Sequence, residues 1–144
     1  MYFKNCIENI KSDKIKIFCD MDGVIVDYDV GKPFDYHMKR PLKNNIKQLE
    51  EISKMENVEL YILSASRMNA GVAQKNEWLD VNAPFIKKEN RNILPREKYD
   101  FKRTSEELKT EFLKSLDREG AQIVVIDDDC RVLKAIKDEF SDVI

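Results

Sequence analysis

The sequence has little of what builds disulfide frameworks, zinc sites or thiol active sites. Its 144 residues include three cysteines, Cys6, Cys19 and Cys130, and a single histidine, His37. The cysteines are odd in number and form no Cys-x-x-Cys pair, so neither a disulfide framework nor a zinc site is expected. No Cys–His pairing suggests thiol catalysis. This cysteine usage fits the cytoplasm, which is the location we expect.

Long apolar runs and a strong net charge are also absent from the sequence. No stretch approaches the roughly 18 apolar residues of a membrane span, and residues 1–14 lack the uninterrupted apolar segment of a secretory signal. The formal net charge of −2 is too small to indicate nucleic-acid or membrane binding by itself. We therefore expect one domain over residues 1–144, with residues 1–14 as an N-terminal extension and no membrane partner.

What the sequence does contain is an alternation of strand and helix patterns. Spacing of apolar residues predicts strands at 15–19, 58–63, 83–86 and 123–126, and helices at 42–55, 69–79, 104–116 and 132–140. A weaker helical pattern precedes the first strand, and Thr104 with Glu107 fits a capping box. This order predicts an α/β fold with three α/β/α layers around a Rossmann-like parallel sheet.

Two further expectations concern the segments around this sheet. Residues 24–41 mix β-forming residues with glycine and proline, which predicts a small hairpin flap. The intervals between strands are too short for a large cap domain. A further strand would be expected to begin at Val143, where the sequence stops one residue later.

Acidic and hydroxyl residues follow the predicted strands. In open parallel sheets, ligands bind beyond the carboxyl ends of the strands, near the switch in strand order. Any one of these signals alone is explained by turn chemistry, because Asp, Ser and Gly are favoured turn residues. Their conjunction at one rim favours a functional site. The motifs are Asp20-Met21-Asp22-Gly23-Val24, Ser64-Ala65-Ser66-Arg67 and Asp127-Asp128-Asp129, with Lys109 lying 18 residues before Asp127.

The carboxylate pair Asp20 and Asp22 suggests both nucleophilic and proton-transfer chemistry. Spaced by two residues at a strand end, the two side chains can face one site if the chain turns, and Gly23 permits that turn. Clustered carboxylates repel one another, and a divalent cation is the usual way to hold them together. Hard oxygen ligands favour Mg²⁺.

On these motifs the chain resembles the haloacid dehalogenase superfamily. Its members carry Asp-x-Asp-x-[Thr/Val] after strand one, Ser or Thr after strand two, a lysine, and a final acidic pair. The resemblance implies an aspartyl-phosphate mechanism with Asp20 as nucleophile and Asp22 as general acid and base. It also implies that Ser64 and Lys109 bind the phosphoryl group. The implied Mg²⁺ ligands are Asp20, Asp22 through its backbone carbonyl, Asp127 and Asp128, and the implied substrate-binding residues are Gly23, Ala65, Arg67 and Lys102.

Some assignments within this resemblance stay open. Lys102 competes with Lys109 as the active-site lysine, and Ser66 competes with Ser64. Asp22 favours phosphorus chemistry over carbon–halogen cleavage, because dehalogenases lack an Asp at that position. The expected activity is Mg²⁺-dependent phosphomonoester hydrolysis. Alternatives are a phosphoprotein or small-metabolite phosphatase, or a catalytically silent binding module.

The substrate is expected to be a nucleotide or a nucleic-acid end phosphate. The motifs resemble those of capless superfamily members, the 5′(3′)-nucleotidases and the 3′-phosphatase domains of polynucleotide kinases. An uncapped site admits bulky substrates, or is closed by an oligomeric partner. Residues 87–103 carry seven basic and three acidic side chains, net +4, which could attract a phosphate-bearing polymer. Without regular aromatic interleaving, a solvated loop is the simpler interpretation.

Overall fold

A four-stranded parallel sheet organises the chain. The computed structural model describes residues 2–28 and 35–144. The sheet has the order β3-β2-β1-β4 and every neighbouring pair is parallel. Its strands are β1 (Ile15–Cys19), β2 (Val58–Ser66), β3 (Arg91–Pro95) and β4 (Gln122–Ile126). The helices within the described residues are α1 (Tyr2–Glu8), α2 (Lys43–Ser53), α3 (Asn69–Asn82), α4 (Arg96–Tyr99), α5 (Ser105–Ser115) and α6 (Cys130–Glu139).

Helices cover both faces of this sheet, which confirms the predicted three-layer fold. Neighbouring residues of a strand point to opposite faces. On β1, Ile17 packs into a core shared with α1, α2 and α3, whereas Phe18 packs into a second core shared with α5 and α6. Every residue of β1 is buried. Burial on both faces explains why this strand has an almost continuous apolar sequence.

The order of the strands determines where a site can form. From β1 the chain moves outward through β2 to β3, and then returns across the sheet to place β4 on the other side of β1. The direction of winding therefore switches between β1 and β4. Ligands of open α/β sheets bind at such a switch. Asp20 follows β1 and Asp127 follows β4, so these two acids lie at the switch point.

The prediction of a third strand at 83–86 is wrong, because β3 begins at Arg91, five residues after the end of the predicted strand. Ala83 and Ile86 are buried, but they belong to the turn after α3. The strand itself, Arg91–Pro95, lies at an edge of the sheet and buries only Ile93 and Leu94. An edge strand has one neighbour, so it tolerates the polar residues and the terminal proline that concealed it in the sequence.

The same finding corrects the interpretation of residues 87–103 as a solvated loop. This segment contains β3 and α4, and it is therefore held against the sheet. Its carboxyl-terminal half lies at the rim where the acidic motifs are found, because β3 is parallel to the other strands.

The base of the predicted hairpin flap is visible in the structure. Val26 forms an antiparallel bridge with Pro41, and the Asp27 N–H donates to the carbonyl oxygen of Arg40 at 2.8 Å. Residues 29–34, which would form the tip, lie outside the described residues. The two flanks of the excursion thus return to one another close to β1.

The two ends of the chain contact the fold. Ile7 of α1 is 2% exposed and belongs to the main core. At the other end, Ile144 exchanges backbone hydrogen bonds with Ile123 and Val125 of β4, at 3.1 and 2.8 Å. No helix among the described residues is long and apolar enough to cross a membrane.

The capping box predicted from the sequence begins α5, the helix that carries Lys109. The Thr104 hydroxyl accepts from the Glu107 N–H, and the Glu107 carboxylate accepts from the Thr104 N–H. We expect Thr104→Ala to lower the free energy of unfolding by about 1 kcal/mol, because it removes the cap oxygen. Thr104→Ser keeps that oxygen and should lose clearly less. Urea unfolding of both variants measures the difference, and equal losses would contradict a stabilising cap.

Candidate active site

Lys109 joins two of the predicted acids in a buried ion-pair network. Its Nζ lies 3.2 Å from Oδ1 of Asp20 and 2.5 Å from Oδ2 of Asp127. Burial by itself would lower the pKa of Lys109, but the charges of Asp20 and Asp127 outweigh it and raise that pKa. Leu108 and Leu113 anchor α5 in the core and hold the ammonium at this depth. Lys109 is therefore a fixed positive charge at the switch point.

Three carboxylates gather beside this lysine. Ligand oxygens of Asp20, Asp127 and Asp128 all lie within 4.8 Å of one another. Burial and the charge of Asp20 raise the pKa of both Asp127 and Asp128, and Lys109 opposes the shift. Crowded carboxylates of this kind are stabilised by a hard divalent cation, whose preferred ligands are oxygens.

Gly23 allows the nucleophile loop and the acidic loop to approach one another. It has a φ of +78°, and a Cβ built on it would lie 2.1 Å from Oδ2 of Asp128. Any side chain at this position would collide with the carboxylate as well as strain the backbone. Gly23, which the sequence predicted to bind substrate, thus lies against the carboxylate of Asp128.

The side chain of Asp22 is not part of this trio. The expected metal ligand is its backbone carbonyl oxygen, a different atom, and that expectation stays a prediction. Oδ1 of Asp22 accepts from Lys39 at 2.8 Å and from Tyr36 at 3.1 Å, and its Oδ2 accepts from Lys75 at 2.8 Å. Burial would raise the pKa of Asp22, but the charge of Lys75 and the hydrogen bonds from both lysines lower it to about 2. The side chain is therefore held as a carboxylate.

Lys75 is a site residue that sequence reasoning missed. Its Nζ contacts the Ser64 Oγ at 2.8 Å and the Ala65 carbonyl oxygen at 2.9 Å, besides Asp22. All three ammonium hydrogens thus have acceptors, in a side chain only 4% exposed. Its position in the sequence could have indicated that it is buried. Lys75 lies three residues after Val72 and three before Trp78, which places it on the apolar face of α3. A lysine on a buried face requires a partner.

Trp78 positions the other two groups that hold Asp22. Its indole N–H donates to the carbonyl oxygen of Lys39 at 3.0 Å, and its ring meets the Tyr36 ring edge-on at 6.3 Å between centroids. The side chain is 1% exposed and belongs to the core. This core aromatic therefore also fixes the segment that supplies Lys39 and Tyr36 to the site.

Ser64 and Ser66 occupy different surroundings. A cavity of about 380 Å³ is lined by Ser64 together with Asp20, Asp22, Lys109 and the acidic loop. Ser66 instead donates its hydroxyl to the Met68 carbonyl oxygen at 2.9 Å. A Cβ on Gly71 would lie 2.2 Å from the Ser66 Oγ, so this hydroxyl is enclosed by the start of α3. Of the two serines, Ser64 is the one facing the acids.

The two remaining expected substrate-binding side chains differ in location. Arg67 lines a second cavity of about 590 Å³, which adjoins the first and shares Ala65 and Ser105 with it. Lys102 lies in the exposed turn before α5, and is not among the side chains lining either cavity. The structure therefore brings Lys109, and not Lys102, to the carboxylates.

Known proteins resemble this chain in structure, whereas its sequence matches no family model and no curated protein. The fold is similar to a chain of the Pnkp1/Rnl/Hen1 RNA repair complex, with a TM-score of 0.68 and 17% identity over 94% of this chain. It is also similar to a class C acid phosphatase from Bacillus anthracis with tungstate bound, with a TM-score of 0.57 and 16% identity over 99% of this chain.

These similarities establish the architecture. The chain has a haloacid dehalogenase-like fold. The resemblance inferred from the sequence is thereby confirmed for the fold. The chain spans 43% of the matched chain of the repair complex and 70% of the acid phosphatase. The haloacid dehalogenase-like core is thus shared with proteins of greater length.

The pKa of Asp22 provides a direct test of the Lys75 contact. In Lys75→Met, we expect the pKa of the Asp22 carboxyl to rise above about 2, because a nearby positive charge is removed. Carbon-detected NMR titration of the Asp22 carboxyl measures this value. Lys54→Met makes the same substitution at an exposed lysine paired with Glu50, and should leave the titration of Asp22 unchanged. An unchanged pKa in Lys75→Met would contradict the contact.

Proposed function

We propose that this protein is a Mg²⁺-dependent phosphomonoester hydrolase that acts on a nucleotide or nucleic-acid end. The position of Asp20 is the main support: its carboxylate lies beside a buried lysine and two further carboxylates. The lysine can neutralise a phosphoryl group, and the carboxylates can hold a cation. A carboxylate so placed is suited to attack phosphorus.

The proposed reaction has two displacement steps. An oxygen of Asp20 attacks phosphorus and the bond to the leaving oxygen breaks, which leaves an aspartyl phosphate and an alkoxide that takes a proton from Asp22. Water then attacks the same phosphorus, gives its proton to Asp22 and releases Asp20 and inorganic phosphate. Lys109 and Ser64 bind the phosphoryl oxygens in both steps, where charge is spread over those oxygens.

The environment of Asp22 suits the second step better than the first. With a pKa of about 2, its carboxylate is ionised before substrate binds and can accept a proton from water. Protonation for the first step is favoured by the substrate itself, because a phosphoryl dianion beside Asp22 raises its pKa. The Ser64 oxygen accepts a hydrogen bond from Lys75, so the Ser64 hydroxyl hydrogen is free to donate to a phosphoryl oxygen.

The carboxylate trio fits a Mg²⁺ ion. Asp20, Asp127 and Asp128 supply oxygen donors, and the raised pKa values of Asp127 and Asp128 reflect repulsion and burial that a cation would relieve. When bound, Mg²⁺ would neutralise charge on the phosphoryl group. Lys109 remains hydrogen-bonded to Asp127 and keeps its oxygen in a fixed direction.

Two observations favour a nucleotide-type substrate. One structural neighbour belongs to an RNA repair complex. Beside the acidic cavity lies a second cavity with two arginines and an exposed phenylalanine, Arg67, Arg96 and Phe101. Arginines and aromatic rings are the groups that bind phosphates and bases of single strands.

The nucleophile is tested by hydrolysis of an aryl phosphate with Mg²⁺ present. We expect Asp20→Asn to lower kcat/KM by roughly a thousandfold or more, because the attacking oxygen is lost. Asp13→Asn, the same substitution at an exposed aspartate before β1, should retain wild-type activity. An acid-quenched wild-type reaction should carry a phosphoryl group on the peptide containing Asp20. Full activity of Asp20→Asn would overturn the mechanism, and inactivity of the wild type on every phosphate ester would favour a binding module.

The metal site is tested separately by direct binding. We expect Mg²⁺ to bind the wild type in calorimetry and a chelator to abolish hydrolysis. Asp128→Asn should weaken Mg²⁺ binding by about 10- to 100-fold, by removing a charged donor at the site. Asp138→Asn, in an exposed pair with Lys134 on α6, should bind Mg²⁺ as the wild type does. Hydrolysis that persists without a divalent cation would contradict the proposal.

A further inference from the structure

The second cavity is built differently from the acidic cavity it adjoins. Its lining residues include no acid: they are Ala65, Ser66, Arg67, Arg96, Phe101 and Ser105. The acidic cavity, by contrast, is lined by five aspartates. In a chain of net charge −2, this local separation of charge indicates a preference for anions in the second cavity. Ala65 and Ser105 line both cavities, so one ligand can occupy the two at once.

Three of the seven basic side chains of residues 87–103 form ion pairs: Lys88 lies 3.8 Å from Asp80, and two arginines have closer partners. Arg91 pairs with Asp80 at 2.7 Å, and Arg103 pairs with Glu111 at 2.6 Å. The net charge of +4 in this segment therefore overstates its attraction for a polymer. What the segment contributes to the rim is Arg96, the residue directly after β3.

Arg96 and Arg67 have no carboxylate partner among the described residues. Arg96 donates from Nη2 to the Ser105 Oγ at 2.7 Å, which directs its guanidinium toward the cavity wall. Arg67 is exposed and forms no ion pair with any residue within 2–28 or 35–144. Two guanidinium groups that form no ion pair can each form paired hydrogen bonds to a phosphate.

Phe101 supplies a planar surface in the same cavity. Its ring is 55% exposed, although an apolar ring of this size gains free energy from burial. Bases of single-stranded nucleic acids stack on such rings with little dependence on sequence. The cavity volume of about 590 Å³ falls within the range of about 300–1,000 Å³ that is usual for ligand sites.

We propose that this second cavity is a subsite for the nucleotide unit adjacent to the one that carries the scissile phosphate. Phe101 stacks on its base, and Arg67 and Arg96 bind the internucleotide phosphate. The substrate is then a single-stranded end of at least two nucleotides, and not a mononucleotide. This inference rests on the proposed function, because it defines the substrate of the same acidic cavity.

The subsite predicts a dependence on substrate length. The wild type should hydrolyse the terminal phosphate of a dinucleotide with a kcat/KM at least about tenfold above that of the matching mononucleotide, given the usual strength of base stacking. Substrates with a 3′ and with a 5′ terminal phosphate are both assayed. The advantage should decrease with salt, with a log–log slope of about −0.7 for one contacted phosphate.

The variants assign that advantage to the cavity. Phe101→Leu and Arg96→Ala should each remove most of the dinucleotide preference, while hydrolysis of the mononucleotide and of an aryl phosphate stays within about twofold of wild type. Phe101→Tyr, which keeps a ring, should retain the preference. Lys87→Ala removes the same charge as Arg96→Ala, but at the opposite end of β3, and should also retain it.

The outcomes separate this inference from the proposed function. Equal kcat/KM for mono- and dinucleotides, or a preference that survives both cavity variants, would overturn the subsite and leave the phosphatase proposal in place. Loss of all hydrolysis in the wild type would overturn the phosphatase proposal instead. Thermal unfolding of Arg96→Ala shows whether the loss of its bond to Ser105 affects α5. If it does, Arg67→Ala, which removes the other arginine of the same cavity, tests the contribution of positive charge.

Discussion

The buried contact of Lys109 with Asp20 and Asp127 connects three elements that are far apart in the sequence. Asp20 ends β1, Asp127 follows β4, and Lys109 is carried on α5. Removing Lys109 would leave two buried carboxylates without their cationic partner, which is costly. The position of α5 against the sheet, its cap at Thr104 and the switch in strand order all serve to place this one ammonium group. The rest of the acidic rim depends on it, because three carboxylates without a cation would repel one another.

A second cationic group holds Asp22 on the other side of the nucleophile. Lys75 comes from α3 and Lys39 from the returning flank of the hairpin flap, so a helix and the flap both contribute to holding one carboxylate. The two acids of the Asp-x-Asp motif therefore have separate environments, although only Met21 lies between them. Asp20 belongs to the carboxylate trio, whereas Asp22 accepts hydrogen bonds from two lysines and a tyrosine. This difference is the physical basis for giving the two acids different chemical roles.

The sequence allowed the central strands and the acids behind them to be predicted, because each is a buried apolar run that ends abruptly in charge. The position of Lys109 also followed, through the capping box and the apolar face of α5. Lys75 could not be assigned, because its partners Asp22 and Ser64 meet it only through tertiary packing. The strand β3 was missed for another reason: its only apolar run is Ile93 and Leu94, between polar residues and a proline, whereas β4 has four consecutive apolar residues.

The position of β3 at the sheet edge has a consequence for how this protein can diverge. The proposed chemistry depends on residues that follow β1 and β4, the two strands that flank the switch point, whereas Arg96 and Phe101 follow β3 at the far edge of the sheet. Substitutions after β3 can therefore alter which ligands are admitted with little effect on the packing around the nucleophile. Under these proposals, selectivity and reactivity reside in parts of the fold that can evolve at different rates.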